Sequence, residues 1–332
     1  MKKETMSTIA VKAGCSVTTV SRVMSGQAGK YRISKATAEK ILKVLKDVEY
    51  YPVKSPRKLH RLYDRTIGLL IPSVANPYFA EMASVIISEA SAGGYAVAVM
   101  DAREDESLFA MQLKLMESRS VAGIIAIPCG DDAVLLEKVS KRIPVVLVDR
   151  YLKDTTIPYV TSNNYQGGFE ATRILVKAGY RRIAAIQGPT TSMPSADRIK
   201  GYSDAMADAG LSEYVSIAGD EFSVQCGYRE TRLLLERDTR PEALFTLSNT
   251  IMLGTVKAIR EAGLVIPDDI GIITFDNNEF MNYMNPAISR IGQPVSDMAR
   301  LAVKILQDRI VNPDSPVSQI KLSPTYLAGE SI

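Results

Sequence analysis

The side chains in this chain best placed for chemistry with another molecule come early: Val17, Thr18, Ser21 and Arg22. An arginine presents a planar fork of N–H donors that matches the acceptor pair on a guanine edge. Short hydroxyls and methyl-sized groups beside it reach base edges or phosphates. Other chemistries find few candidates. His60 is the only histidine, so a nucleophile paired with a histidine base has no obvious partner. No G-x-G-x-x-G follows a strand-like run and no Walker loop is present, which argues against a nucleotide-dependent enzyme.

Two short helices would have to hold those residues. In T-M-S-T-I-A-V-K-A-G-C-S-V-T-T-V-S-R-V-M, Thr5–Met24, Thr5 can cap the first helix, and Ile9, Ala10 and Ala13 share one side of it. Gly14 supplies the left-handed residue that ends it, and Ser16 caps the next. Val20 and Val23 then face inward, leaving Val17, Thr18, Ser21 and Arg22 outside, on a helix short enough for a major groove. On geometry alone an ordinary surface hairpin of helices fits equally well.

The charge distribution favours the groove. Residues 1–65 carry 15 Lys and Arg against 5 Asp and Glu, a surplus of +10, whereas the remainder of the 332 residues carries −7. A small basic module at one end is the footprint expected of phosphate contacts. Apolar residues make up 46% and charged ones 23%, as in ordinary globular proteins. Cys15, Cys129 and Cys226 lack metal or disulfide spacing, which fits a reducing cytoplasm with no metal site and no cofactor. The start M-K-K-E-T-M has no apolar signal region, and no stretch is apolar for the eighteen or so residues a membrane span needs, so no membrane is expected.

The string A-x-x-A-G-C-S-V-T-T-V-S-R-V resembles the DNA-binding head of the LacI family of bacterial transcription regulators, and the likeness runs from Thr5 to Leu59. It implies a helix-turn-helix head over residues 1–52 in which Arg22, Val17 and Thr18 read bases. Thr19 and Ser21 would fix the register on phosphates, with Thr5 and Ser16 in the same DNA-binding set. The following loop, S-G-Q-A-G-K-Y-R-I, is about three residues longer than usual in the family. Ser34 caps a third helix, Lys35–Val48, whose Ile41, Leu42, Leu45 and Val48 are expected to cover the first two. Residues 53–65 correspond to the family's hinge, where Leu59 matches a leucine that wedges into the minor groove and Arg57 a basic position. Pro56 departs from the family's small residue and can delay the start of a hinge helix. His60 lies in the same linker.

From Thr66 short apolar runs alternate with helical stretches. T-I-G-L-L-I, A-V-A-V-M, G-I-I-A-I and P-V-V-L-V read as buried parallel strands, with helices near Phe79–Ala92, Leu108–Ser118 and Ala133–Val139. R-I-A-A-I, V-S-I-A, A-L-F-T and I-G-I-I-T repeat the pattern, with helices near Gly168–Ala178, Ile199–Ala209, Gly227–Glu236 and Met252–Ala262. The alternation predicts two doubly wound sheets. N-P-Y-F, Gly167-Gly168, Gly188-Pro189, R-x-x-G-Y ending at Tyr202 and F-D-N at 275–277 resemble the periplasmic-binding-protein-like sensor of the same family. The expected fold is therefore a small all-α head plus an α/β core of two doubly wound lobes. The core would span 66–326, its N-lobe 66–161 and 292–322, its C-lobe 162–291 and 323–332.

In that fold ligands bind at carboxyl ends of strands. Asn76, Tyr78, Phe79, Asp149, Arg150, Asn249, Asp276 and Gln293 follow such ends. Arg198 matches the family's ligand-binding arginine, and Phe222 lies near its aromatic lid. Planar amides, carboxylates and guanidiniums bond sugar hydroxyls in pairs, and aromatic rings take the C–H faces. The set resembles ribose- and galactose-type sugar binders; Ser192 and Pro194 stand where purine binders have polar groups. The expected protein is a homodimeric, operator-binding regulator, a repressor, controlled by an unphosphorylated pentose or hexose between the lobes. The alternative is a cytoplasmic sugar-binding protein or enzyme of the same architecture.

Overall fold

The computed structural model describes residues 6–24, 27–47, 65–119, 121–131 and 133–332. The chain divides into two compact units, 1–60 and 61–332.

In the first unit α1 (Met6–Ala13), α2 (Val17–Met24) and α3 (Lys35–Asp47) enclose Ile9, Ala10, Ala13, Val20, Val23 and Ile41. Gly14 turns the chain with φ +64°, a conformation that costs a residue with a Cβ. Ser16 Oγ accepts from the Thr19 amide at 3.1 Å and Ser34 Oγ from the Thr37 amide at 3.2 Å, so α2 and α3 both start on a cap. The expected role of Leu42 is not met: it is 54% exposed. Ala38, Val44 and Leu45 pack beside Ile41 instead, because a 13-residue helix over two short ones presents only a narrow stripe. Val48 lies outside the described residues.

The second unit begins with β1 (Thr66–Ile71), α4 (Pro77–Ala92), β2 (Ala96–Asp101), α5 (Glu106–Ser118), β3 (Gly123–Ala126), α6 (Ala133–Ser140), β4 (Val145–Val148) and β5 (Tyr159–Ser162). It continues with α7 (Asn164–Lys177), β6 (Ile183–Ile186), α8 (Met193–Asp208), β7 (Ser216–Ala218), α9 (Val224–Leu235), β8 (Ala243–Thr246), α10 (Asn249–Glu261), β9 (Gly271–Phe275) and β10 (Ser289–Gly292). Last come α11 (Val295–Val311), β11 (Gln319–Leu322) and β12 (Thr325–Leu327). Two six-stranded sheets result, ordered β11-β5-β4-β3-β1-β2 and β12-β10-β9-β8-β6-β7. All pairings are parallel except β10 with β12. The chain passes between sheets three times, after β5, after β10 and after β11.

Burial on both faces explains the unbroken apolar strands. In β1, Ile67, Leu69 and Ile71 meet Met82 and Ile86 of α4 and Met298 and Leu306 of α11, while Leu70 points to Phe109 and Leu113 of α5. Each such side chain contributes about 1.5–3 kcal/mol by leaving water. Expected and observed strands agree, and the two doubly wound layers are present. The helices start earlier than apolar periodicity suggests: α4 at Pro77, α7 at Asn164, α8 at Met193, α10 at Asn249. Their first turns are polar or proline-bearing, and those of α4, α7 and α10 are anchored by side-chain caps, such as Asn163 Oδ1 accepting from the Gln166 amide and Ser248 Oγ from that of Ile251. The long α11 and the short strands β5, β10, β11 and β12 add to the expected elements.

Candidate functional sites: a recognition helix and an interlobe cleft

On the head, α2 shows Val17 41% exposed, with Thr18 and Ser21 also exposed and Thr19 half-buried. Ser16 Oγ and Thr19 Oγ1 share a hydrogen bond of 2.8 Å, so both hydroxyls help cap the helix. Arg22 is half-buried, and its Cζ lies 3.9 Å from the centre of the Tyr31 ring. A guanidinium stacked on a ring keeps its N–H donors in a defined plane. Tyr31 comes from the loop that is longer than usual, where Arg32 takes φ +53° and Ile33 returns to the core. Tyr31 is absent from the expected set; its signal was an aromatic residue between Lys30 and Arg32. Thr5 and Leu59, with Pro56, Arg57 and His60, lie outside the described residues.

In the second unit the strand ends bring all ten expected cleft residues together. Nine of them wall a space of about 30 Å³ with Pro194 and Ser248. The tenth, Asn249, donates from Nδ2 to Asn76 Oδ1 at 3.0 Å, joining the two sheets' halves, and to Asn278 Oδ1 at 2.5 Å. Asn76 also caps α4, accepting from the Tyr78 amide at 3.1 Å. Tyr78 and Phe79 meet edge to face, 5.2 Å apart.

Four charged groups are buried here: Asp149, Arg150, Arg198 and Asp276. Asp149 and Asp276 both take left-handed backbone, φ +64° and +78°, where a β-carbon is strained, a pattern that accompanies functional sites. The Tyr78 hydroxyl donates to Asp149 Oδ1 at 2.6 Å, and the Thr161 hydroxyl holds the Asp149 carbonyl at 2.5 Å. Asp276 Oδ1 accepts from Gln293 Nε2 at 2.8 Å and Oδ2 from the Asn249 amide at 3.0 Å. Arg198 donates to Asn164 Oδ1 at 2.8 Å and to the Leu247 carbonyl at 2.6 Å, with its guanidinium 3.7 Å over the Phe275 ring. Arg150 sits between Phe79 and Phe222 and makes a two-pronged pair with Glu104 at 2.7 and 2.8 Å.

Close approach makes this assembly. A β-carbon on Gly168 would strike the Arg198 carbonyl, so α7 and α8 touch only because the residue is glycine. One on Gly188 would lie 2.5 Å from the Phe222 ring, which is how the Gly-Pro turn makes room for that aromatic wall.

Burial raises the Asp149 carboxyl above its usual range, opposed by Arg198, the Tyr78 bond and Arg150. Burial lowers Arg198, opposed by Asp276 and Asp149. Burial, then Asp149 and Asp276, push the Tyr78 phenol well up, so it remains a donor. Burial also pulls on Arg150, but Glu104 more than compensates and the net shift is upward. Two carboxylates thus face two guanidiniums, one of which Glu104 already engages, leaving no surplus cation for an anionic ligand. The buried oxygens Asn249 Oδ1 and Gln293 Oε1 have no hydrogen-bond partner, and each invites a hydroxyl donor. The enclosed space holds about one water, so a ligand enters only if the lobes part. Beyond Arg150 and Phe222 the cleft widens to about 460 Å³, lined also by Glu104, Glu106, Tyr151, Met193 and Glu221. Glu104, Asn164 and Asn278 were not expected from the sequence; they hold Arg150, Arg198 and Asn249.

Among the described residues no helix is long and apolar enough to cross a membrane, and no cluster of ligating side chains suits a metal ion.

Residues 5–53 match the family described as bacterial regulatory proteins, lacI family, and residues 64–300 the periplasmic binding proteins and sugar binding domain of the LacI family. The ribose operon repressor of Haemophilus influenzae is 30% identical over 99% of this chain and 98% of its own length. The HTH-type transcriptional repressor PurR of Klebsiella pneumoniae is 31% identical over 99% of this chain and 96% of its own. Among solved structures, the lac repressor dimer bound to operator and an anti-inducer superposes with a TM-score of 0.82 over 99% of both chains, at 22% identity.

Proposed function

The chain belongs to the LacI family of bacterial regulators, and from that premise we propose that it is an operator-binding repressor whose effector is a neutral monosaccharide closed between the two lobes. Two copies, each contributing one head, would occupy a pseudo-palindromic operator in the cytoplasm, with Arg22, Val17 and Thr18 reading each half-site. Thr19 and Ser21 would serve phosphates, with Thr5 and Ser16 in the same DNA-binding set, and Leu59 the minor groove. This organisation assigns residues 1–52 to DNA, 53–65 to the hinge and 66–326 to the effector.

The effector assignment rests on one observation: the buried charges of the cleft balance each other while two amide oxygens lack donors. Such a site accepts hydroxyls and rejects a phosphate, which would bring uncompensated negative charge beside Asp149 and Asp276. Overall identity does not single out an effector, since the ribose operon repressor and PurR relatives are 30% and 31% identical. The local chemistry favours a sugar. Pro194 lines the space without a donor, and rings at Tyr78, Phe79 and Phe222 suit sugar C–H faces. Asn76, Arg150, Arg198, Asn249, Asp276 and Gln293 supply the polar contacts. Catalysis has no part in this reading, in which the buried charges serve to hold one another and a ligand.

Fluorescence anisotropy on DNA from upstream of the protein's own gene tests it. Sequence-preferring binding that one pentose or hexose alters several-fold supports the proposal. Sequence preference indifferent to every sugar leaves the head assignment standing and removes the effector assignment. Turnover of the bound sugar would point to an enzyme.

A further inference from the structure

Asp197 and Arg198 are neighbours on α8, yet they serve different lobes. Arg198 is tied within its own lobe, to Asn164 and to the Leu247 carbonyl. Asp197 reaches out of it. Its Oδ2 accepts from the Tyr151 hydroxyl at 2.8 Å, and Lys321 Nζ lies 3.8 Å from the same oxygen. Tyr151 follows β4 and Lys321 lies in β11, both of the first sheet, whereas α8 follows β6 of the second. The contact therefore bridges the lobes.

The first lobe holds its side of the bridge in place. Tyr151 is buried and its ring stacks on Tyr159, the centroids 4.6 Å and the planes 17° apart. Lys321 Nζ donates to the phenol oxygen at 3.2 Å, which leaves the phenol proton for Asp197. Burial, then the bond to Asp197, push the phenol above its ordinary range, so it stays a donor. Four residues before Asp197, on the same face of α8, Met193 packs against the core cluster of the first lobe that contains Tyr151, Leu152 and Tyr159. An apolar and a charged side chain together dock the start of α8 on the opposite lobe.

These residues stand apart from the effector contacts. The inner space is walled by others, while Tyr151 and Met193 line the wider part of the cleft. Because a ligand enters only when the lobes part, a bond across the lobes that no ligand has to use governs how often they do so.

We propose that Tyr151, Asp197 and Lys321, with Met193, form a latch between the lobes that controls their parting independently of any effector.

The test reads that parting directly. Ser248 is 5% exposed and lines the inner space. In the full chain carrying Ser248→Cys and Cys15→Ser, an aromatic disulfide reagent, dithiobis(nitrobenzoate), reaches the new thiol only when the lobes part. Cys129 and Cys226 are buried, and the same chain without Ser248→Cys supplies their background. Adding Tyr151→Phe, or separately Asp197→Ala, is expected to speed labelling about tenfold, the effect of losing one hydrogen bond to a carboxylate. Tyr165→Phe removes a bond of the same kind, to Asp204 at 3.0 Å, but within one lobe, and is expected to leave the rate unchanged. Labelling unaltered by both Tyr151→Phe and Asp197→Ala, with melting curves like the parent's, overturns the latch. Equal acceleration by Tyr165→Phe also overturns it, since that would mark a general loosening.

Discussion

The face of α2 and the cleft use the same side-chain types under opposite conditions. On α2, Thr18 and Ser21 stand in water, and Arg22 stacks on the Tyr31 ring. In the cleft, Arg198 is 4% exposed and fixed by an amide, a carbonyl and the Phe275 ring, beside two buried carboxylates. A surface of exposed donors tolerates loss of one member and depends on long-range charge. A buried network fails as a unit, because removing one partner strands another without water to replace it.

Salt separates the two most widely. Operator affinity should fall about 10³-fold between 50 and 200 mM salt if each dimer neutralises about six phosphates. Sugar affinity should stay nearly constant over the same range, since the cleft's charges cancel locally. Anisotropy and calorimetry in parallel titrations measure both, and a salt-steep sugar affinity would break the contrast.

Next in size is Asp276→Ala. It strands the Asn249 amide and Gln293 Nε2 and removes one of the two carboxylates that offset the buried Arg198, so we expect a loss of about 3–5 kcal/mol in unfolding free energy. Sugar affinity should drop about 100-fold, with operator binding of the folded fraction retained. Denaturant melts and calorimetry check this, and a full sugar response in the variant would remove Asp276 from the site.

Arg22→Ala should cost about 1–3 kcal/mol of preference for the operator over a variant with one base pair changed per half-site, without altering sugar affinity. Competition anisotropy reads that preference directly. The smallest effect belongs to Tyr31→Ala: loss of an exposed stack is worth about 0.5–1 kcal/mol, a two- to fivefold loss of the same preference. Tyr31→Phe should restore it, because a phenyl face also stacks on a guanidinium.

The contrast extends to what a sequence reader can find. On the head, Gly14, Ser16, Ser34 and the inward Val20 and Val23 are local features, and local reasoning located them. Leu42 misled, since whether a leucine at the edge of a stripe is covered depends on the size of its neighbours. In the cleft the residues at strand ends were legible from the alternation of strands and helices together with the family resemblance. Their partners were not. Glu104 meets Arg150 across 46 positions and Asn164 meets Arg198 across 34, with no spacing rule to announce either pair. The short strands β10 and β12 and the helix α11 were also missed: β10 and β12 lie where the chain crosses between sheets, outside the strand–helix alternation that revealed the others.

Coupling between the two regions is the central claim, and linkage makes it measurable in one experiment. Sugar affinity is determined by calorimetry on the free dimer and on the dimer saturated with operator. If sugar and operator favour different arrangements of the same protein, the two affinities differ by about 5- to 150-fold, and operator affinity changes by the same factor when sugar is present. Equal sugar affinity in the two states would contradict the account, whatever the head and the cleft each bind alone.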